Sequence, residues 1–268
     1  MTVKHLLIDI EGVLVTDKSY RPVPGGVTWL NSLAAQGYDW RLVSNNTTHP
    51  PQALINSLRD AGFNVDLDQL EGAATTGCNW LRSEGHRTIG WLGASSLSPW
   101  LEEQGFVLAP PGAASCDAVV LGVNADLQVT DLDRAASWLQ QGAALLCLHR
   151  NRIWLDATGL VRLGPGAWAA ALEAAVPGVR SVTAGKPEPA VYQRALESLG
   201  ALPESTLFIS DDPFSDLAGA RRLGMATVFV LSGKYPDAGI LSTLGPDQQP
   251  DLVLDRADQL VPDRLQQG

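Results

Sequence analysis

Short apolar runs recur along the chain, and each stops at a polar or acidic cluster. Residues 5–10 read His-Leu-Leu-Ile-Asp-Ile and give way to Glu11-Gly12. Residues 39–43 end at Ser44-Asn45-Asn46, and residues 206–209 end at Ser210-Asp211-Asp212. Runs at 226–231 and 251–254 have the same character. Segments this short and this apolar read as strands buried on both faces, each broken where a loop begins. Between them lie stretches with helical spacing at 51–61, closed by Gly62, and at 190–199 and 217–223. Strands alternating with helices predict βαβ units and a parallel sheet covered on both sides.

The middle of the chain, 79–182, has a rhythm of its own, with strands expected at 88–92, 118–123 and 144–148 and helices at 98–104, 131–140 and 167–175. This predicts a separate module inserted into the first, leaving 1–78 and 183–268 as one core. The Gly-, Pro- and Asp-rich stretch 233–251 reads as a loop. The fold class is α/β: a Rossmann-like parallel-sheet core with an inserted α/β domain.

The polar strand ends matter because the carboxyl ends of parallel strands share one edge, where open α/β sheets bind ligands. Asp9, Ser44 and Asp211 are therefore expected to converge although far apart in sequence. Asp9 and Glu11 place two carboxylates close together, and Asp211, Asp212 and Asp216 add an acidic cluster. Crowded carboxylates repel one another unless a cation sits among them, and hard oxygen ligands favour Mg²⁺. Lys186, in Gly185-Lys186-Pro187-Glu188-Pro189, stands in a rigid segment ahead of a helix, suited to balance a nucleophile and hold a phosphoryl oxygen. Ser44 and Asn45 offer neutral donors. A nucleophile, a metal, a cationic clamp and donors are what phosphoryl transfer requires. Taken singly, each residue has an ordinary reading: Asp9 as a turn former, Asp212-Pro213 as a helix start, Lys186 as a surface charge. Their joint occurrence favours the chemistry.

Charge sharpens this. The formal net charge is −10 and the pI about 4.8, which argues against nucleic acid or an anionic membrane as partner. That field would also repel a phosphate, so a phosphate site must create its own positive potential. The three cysteines, Cys78, Cys116 and Cys147, form no Cys-x-x-Cys pair and read as buried free thiols. No signal-peptide pattern or membrane-length apolar segment stands out, and the expected compartment is the cytoplasm.

In order, Asp9-Ile10-Glu11-Gly12-Val13-Leu14, Ser44-Asn45-Asn46-Thr47, Gly185-Lys186-Pro187 and Ser210-Asp211-Asp212 with Asp216 resemble the four motifs of the haloacid dehalogenase-like (HAD) phosphatases. The insert resembles the type C2 α/β cap of the NagD-type subfamily IIA. His149-Arg150-Asn151-Arg152-Ile153-Trp154, Gly159-Leu160, Leu163-Gly164-Pro165-Gly166-Ala167 and Ser232-Gly233-Lys234-Tyr235 are similar to the branch that contains phospholysine phosphohistidine inorganic pyrophosphate phosphatase. The resemblance implies that Asp9 is the nucleophile, passing through an aspartyl-phosphate. It implies a Mg²⁺ shell of Asp9, the main-chain carbonyl of Glu11, and Asp211, ordered by Asp216. Ser44 and Lys186 would hold the transferred phosphoryl group, with Asn45 and Asn46 beside it and Gly12 leaving room for it.

One position departs from the family pattern: Glu11 stands where most of these phosphatases have the Asp that protonates the leaving group and then activates water. The extra methylene moves the proton by about an ångström, an error that costs catalysis dearly in a preorganised site. The implied activity is Mg²⁺-dependent hydrolysis of a small phosphate monoester, or of pyrophosphate or a phosphoramide. The implied partners are a small phosphorylated metabolite and, through the cap, a second copy of the chain. A catalytically weakened phospho-ligand-binding protein is the alternative, motivated by Glu11. A response-regulator-like phosphoacceptor is disfavoured, because there the adjacent acidic pair comes first and here Asp211-Asp212 comes last. His149, Arg150, Asn151 and Arg152 are the candidate specificity loop of the cap, weighed against a plain basic surface turn.

Overall fold

The computed structural model describes residues 3–16, 19–155 and 160–260. Gly159, one of the residues quoted for the family branch, lies outside them, as do the extreme ends of the expected core ranges. The chain begins with β1 (His5–Ile8), α1 (Gly26–Ser32), β2 (Asp39–Ser44), α2 (Pro51–Asp60) and β3 (Leu70–Gly72). It continues through α3 (Ala73–Ser83), β4 (Thr88–Leu92), α4 (Ser98–Glu103), β5 (Val107–Leu108), β6 (Ala118–Leu121), α5 (Val129–Gln140) and β7 (Ala144–Cys147). Then come β8 (Ile153–Leu155), β9 (Val161–Leu163), α6 (Pro165–Ala175) and β10 (Ser181–Thr183). The last part holds α7 (Pro189–Leu199), β11 (Thr206–Ser210), α8 (Ala218–Arg222), β12 (Ala226–Val230) and β13 (Leu252–Leu254). These elements form two compact units, one of Met1–Ser44, Gln52–Glu71 and Lys186–Gly268, the other of Asn45–Pro51 and Gly72–Gly185.

The first unit is built on a six-stranded sheet of order β13-β12-β11-β1-β2-β3, parallel in every pairing from β13 to β2. Side chains alternate across it as the strand period of two demands. Leu6, Ile8, Leu42, Ile209 and Val228 face one layer with Trp29, Leu30 and Leu54, while Leu7, Val43, Phe208 and Phe229 face the other with Val191, Tyr192 and Leu196. Burial on both faces is why these strands are mostly apolar, with Asp39 and Arg41 of β2 at exposed and half-buried positions, and each buried apolar side chain contributes about 1.5–3 kcal/mol. Helix α7 starts with Pro189 at its first turn, where a missing N–H costs nothing, and stops at Gly200 in the left-handed region at φ 60°.

Two expectations shift locally. The helix expected at 217–223 begins earlier, as a wide turn over Pro213–Leu217, because the Asp212 side chain accepts the N–H groups of Phe214 and Ser215 and starts it. The stretch 233–251, expected as loop, carries two short helical turns at Ala238–Thr243 and Pro246–Gln248.

The second unit has a five-stranded parallel sheet of order β10-β7-β6-β4-β5 and an antiparallel pair, β8-β9. Ile89, Val120 and Leu146 pack with Cys78, Leu81 and Leu101 on one face; Val119, Leu121 and Leu145 pack with Trp138, Leu139 and Leu172 on the other. All three cysteines are free thiols in this unit, Cys78 and Cys147 buried and Cys116 half-buried. Burial pushes Cys78 and Cys147 up to about 12. Among the described residues no helix is long and apolar enough to cross a membrane.

Candidate active site

Register brings the first two acids together. β1 pairs with β11 so that Ile8 lies opposite Ile209, and the Asp9 N–H donates to the Ile209 carbonyl at 3.0 Å. The chain on both strands then leaves the sheet, placing Asp9 and Asp211 at the same carboxyl edge. Ser44, buried at the end of β2, is on the strand that flanks β1 on its other side.

Lys186 opens the segment before α7 and is almost wholly buried, at 2% exposure. Its Nζ donates to Asp9 Oδ1 and to Asp216 Oδ2, each at 2.6 Å, and lies 5.7 Å from the centre of the Phe208 ring. Burial alone would lower the pKa of this ammonium, but the charges of Asp216 and Asp9 outweigh it, and the lysine is held protonated above its ordinary value. Asp216 is itself fixed. Its Oδ2 also accepts from Ser210 Oγ at 2.9 Å, and its carbonyl accepts from the Tyr192 hydroxyl at 2.8 Å. Asp216 thus holds the lysine that holds Asp9.

Asp211 is buried, and its Oδ2 accepts the main-chain N–H of Lys234 at 2.6 Å. Burial pushes its carboxyl up to about 6 against the pull of that N–H, with Asp216 and Asp212 adding to the rise. Gly12 has φ +82°, and a Cβ there would stand 2.0 Å from Asp211 Oδ2. Only glycine satisfies both the backbone and the close approach. Glu11 is half-buried between Asp9 and Gly12, its backbone bridged to Val15, and its charge adds to those acting on Asp9.

The remaining expected residues sort differently. Asn45 and Asn46 belong to the second unit. Asn46 Oδ1 accepts from the N–H groups of Thr48 and His49 at 3.0 and 3.1 Å, so this side chain shapes its own loop. Asn45 Oδ1 packs where a Cβ on Gly185 would be 2.3 Å away. The strip 149–152 divides into parts. His149 is buried with its Nε2 3.3 Å from Thr47 Oγ1, and Arg150 pairs with Glu173 at 3.1 Å, while Asn151 and Arg152 are exposed. The backbone carbonyls of Arg150 and Asn151 lie against Gly166 and Gly164, where a Cβ would meet them at 2.2 and 2.3 Å.

Sequence reasoning assigned no role to Ser210, Tyr192 or Thr47, although Ser210 and Thr47 sit inside the quoted motifs. A hydroxyl directly beside a strand-end acid was the available signal for Ser210; Tyr192 carried none, since its partner depends on how α7 packs.

Buried acids and a lysine gathered at the carboxyl edge of a parallel sheet define the class: an α/β protein whose centre is an aspartate–lysine–aspartate array. Residues 6–107 match the family model described as haloacid dehalogenase-like hydrolase, and residues 183–260 match one described as HAD-hydrolase-like. Haloacid dehalogenase-like hydrolase domain-containing protein 2 of Bos taurus is 30% identical over 233 residues, covering 87% of this chain and 85% of its own. Dihydroxyacetone phosphatase of Corynebacterium glutamicum (strain R) is 28% identical over 235 residues, covering 87% and 83%. The solved structure of a p-nitrophenyl phosphatase from Archaeoglobus fulgidus superposes with a TM-score of 0.85 at 24% identity, covering 98% of each chain. The chain belongs to the haloacid dehalogenase-like hydrolases.

Proposed function

We propose that the protein is a Mg²⁺-dependent phosphatase of small phosphate esters in which Asp9 attacks phosphorus. The observation that carries this reading is the buried Lys186 held between Asp9 and Asp216 at 2.6 Å from each. The lysine fixes Asp9 Oδ1, which leaves the second oxygen to form the bond to phosphorus as the bond to the leaving oxygen breaks. The departing oxygen takes a proton from Glu11. Glu11, then a carboxylate, removes a proton from the water that cleaves the aspartyl-phosphate. Ser44 and Lys186 supply donors for the charge that develops on the phosphoryl oxygens.

The donor set fits a divalent cation. Among the described residues, no group of three or more His, Cys, Asp or Glu side chains forms a ready-made metal cage. The ligands this reading requires are Asp9, Asp211 and the main-chain carbonyl of Glu11, with Asp216 Oδ2 bonded to Lys186 and Ser210. Asp9, Asp211 and Asp216 are buried against one buried lysine, an excess of negative charge that a divalent ion neutralises. Such an ion, when bound, supplies further neutralisation of phosphoryl charge. Two relatives are named for phosphatase activity on dihydroxyacetone phosphate and on p-nitrophenyl phosphate, which favours a small ester as substrate. We assign choice among such esters to the second unit, as an inserted module.

The test is release of phosphate from a panel of esters and pyrophosphate with Mg²⁺, repeated with Asp9→Asn and with excess EDTA. Loss of release in both supports the reading, and full release in either overturns it. Binding of phosphate esters without turnover by the unaltered protein would instead select the weakened-enzyme alternative that Glu11 motivates.

A further inference from the structure

The loop that follows β12, Ser232-Gly233-Lys234, belongs to none of the four motifs, yet it touches the centre at three points. Ser232 Oγ donates to the carbonyl of Gly12 at 2.6 Å. The Lys234 N–H donates to Asp211 Oδ2 at 2.6 Å, and Lys234 Nζ pairs with Asp212 Oδ2 at 2.8 Å. Gly233 lies between these contacts. A Cβ there would stand 2.0 Å from Asp211 Oδ2 and 2.5 Å from Gly12 Cα, so this glycine is needed for the loop to close on both. Asp211 Oδ2 is thereby enclosed by Gly12 on one side and Gly233 on the other, and it accepts a main-chain N–H. Among the described residues Oδ1 has no hydrogen-bond partner.

We propose that this loop is a positioning element that presents Asp211 to a divalent cation through Oδ1 alone, and so selects Mg²⁺ over Ca²⁺. The physical basis is coordination chemistry. Ca²⁺ takes six to eight oxygens and readily accepts both oxygens of one carboxylate, whereas Mg²⁺ keeps a tight octahedron of single-oxygen contacts. A carboxylate with one oxygen locked into a backbone hydrogen bond suits the smaller ion and denies the larger one a ligand. The donor is a main-chain N–H, and its loop is tied to the Gly12 carbonyl by Ser232 Oγ. Ser232 and Lys234 act through Asp211.

The inference rests on the proposed divalent site at Asp9 and Asp211, and the experiment separates the two. Mg²⁺ and Ca²⁺ affinities are measured by calorimetry on the unaltered protein, on Lys234→Pro, which deletes the N–H, and on Lys234→Ala, which keeps it. If the unaltered protein binds neither ion, the site reading fails. If it binds Mg²⁺ more tightly, Lys234→Pro is expected to move the Ca²⁺-to-Mg²⁺ affinity ratio about tenfold toward Ca²⁺, the scale of one lost charge-assisted hydrogen bond, while Lys234→Ala keeps the ratio. An unchanged ratio in folded Lys234→Pro, or an equal change in Lys234→Ala, overturns the positioning role. Gly233→Ala, whose methyl group displaces Oδ2, is expected to shift the ratio in the same direction, and it decides the matter should the proline variant not fold. If neither variant folds, Ser232→Ala decides: it frees the loop from Gly12 and is expected to shift the ratio more weakly, and no shift overturns the proposal.

Discussion

Lys186 Nζ lies 2.6 Å from Asp9 Oδ1 although 177 positions separate the two residues in sequence. The contact is made where β1 ends and α7 is about to begin, and both partners are buried. Asp216 completes it from the other side at 2.6 Å. A single cation therefore holds two buried carboxylates, and the stability of the core and the placement of Asp9, the proposed nucleophile, depend on the same side chain.

Removing that cation leaves both acids buried without their partner. Loss of one member of a buried ion pair costs about 3–5 kcal/mol. For a chain of this size, Lys186→Ala should lower the melting temperature by roughly 6–12 °C at neutral pH, even with no substrate present. Added Mg²⁺ should recover part of the loss by neutralising Asp9, which Lys186 and the proposed cation share. Scanning calorimetry with and without Mg²⁺ is the check, and a melting temperature within about 2 °C of the unaltered protein would show that Asp9 and Asp216 do not need the lysine.

Within the second unit, Thr47 Oγ1 accepts the Val123 N–H at 3.2 Å and lies 3.3 Å from His149 Nε2. Thr47 and His149 are both buried. The hydroxyl joins the loop after β2 to the ends of β6 and β7. Thr47→Val keeps the shape and strands a buried N–H, which costs about 1–3 kcal/mol, whereas Thr47→Ser keeps the hydroxyl and should cost much less. Chemical denaturation of the two variants gives the comparison. Equal losses would mean that the methyl group, and not the hydrogen bonds, is what matters at this position.

Glu173 on α6 accepts from the Ser181 N–H and Oγ at 2.9 and 2.7 Å and pairs with Arg150 at 3.1 Å. Burial would raise its carboxyl, but these hydrogen bonds and the Arg150 charge outweigh burial and hold it below its ordinary value. A depressed folded-state pKa stabilises the protein above the unfolded value, about 4.3, and that stability is lost as pH falls through the folded value. The deficit of Glu173→Gln relative to the unaltered protein should therefore be full at pH 7 and shrink in acid. Melting temperatures measured from pH 7 down to about pH 3 test this, and a gap that widens in acid reverses the sign of the argument.

The strand ends were legible because burial on both faces makes a core strand apolar throughout, so polarity changes abruptly at Asp9, Ser44 and Asp211. The type of chemistry followed from those ends. What each acid does was less legible, because partners in a folded chain are set by long-range packing. Asp216 reads from sequence as ordering a metal shell, but nothing in the sequence showed that its Oδ2 would accept from Lys186 and Ser210. Strands β8 and β9 were not anticipated, since Ile153, Val161 and Leu163 are apolar yet exposed and show no inside–outside alternation. Strands β3 and β5 span three and two residues, too short for any period to register. The strip from His149 to Arg152 looked uniform because four polar residues in a row carry no sign of which are buried.

Glu11 sets the last prediction, since its length departs from the family pattern at a half-buried position two residues after Asp9, the proposed nucleophile. A general acid matters most when the leaving group is a poor one that must be protonated as it departs. Nitrophenolate leaves with little help, whereas an alkoxide does not. Glu11→Gln should therefore slow hydrolysis of alkyl phosphates far more than that of 4-nitrophenyl phosphate. Glu11→Asp shortens the side chain to the family's usual length and should raise the alkyl rate or leave it unchanged. Mg²⁺ affinity should survive both substitutions, because the ligand assigned to this residue is its main-chain carbonyl, which neither change removes. Steady-state rates on the two ester classes, with calorimetric Mg²⁺ binding alongside, separate the roles. If Glu11→Gln slows both esters by the same small factor, Glu11 contributes to the turn before Gly12 and not to proton transfer. If Mg²⁺ binding is lost instead, its carboxylate is a ligand in its own right.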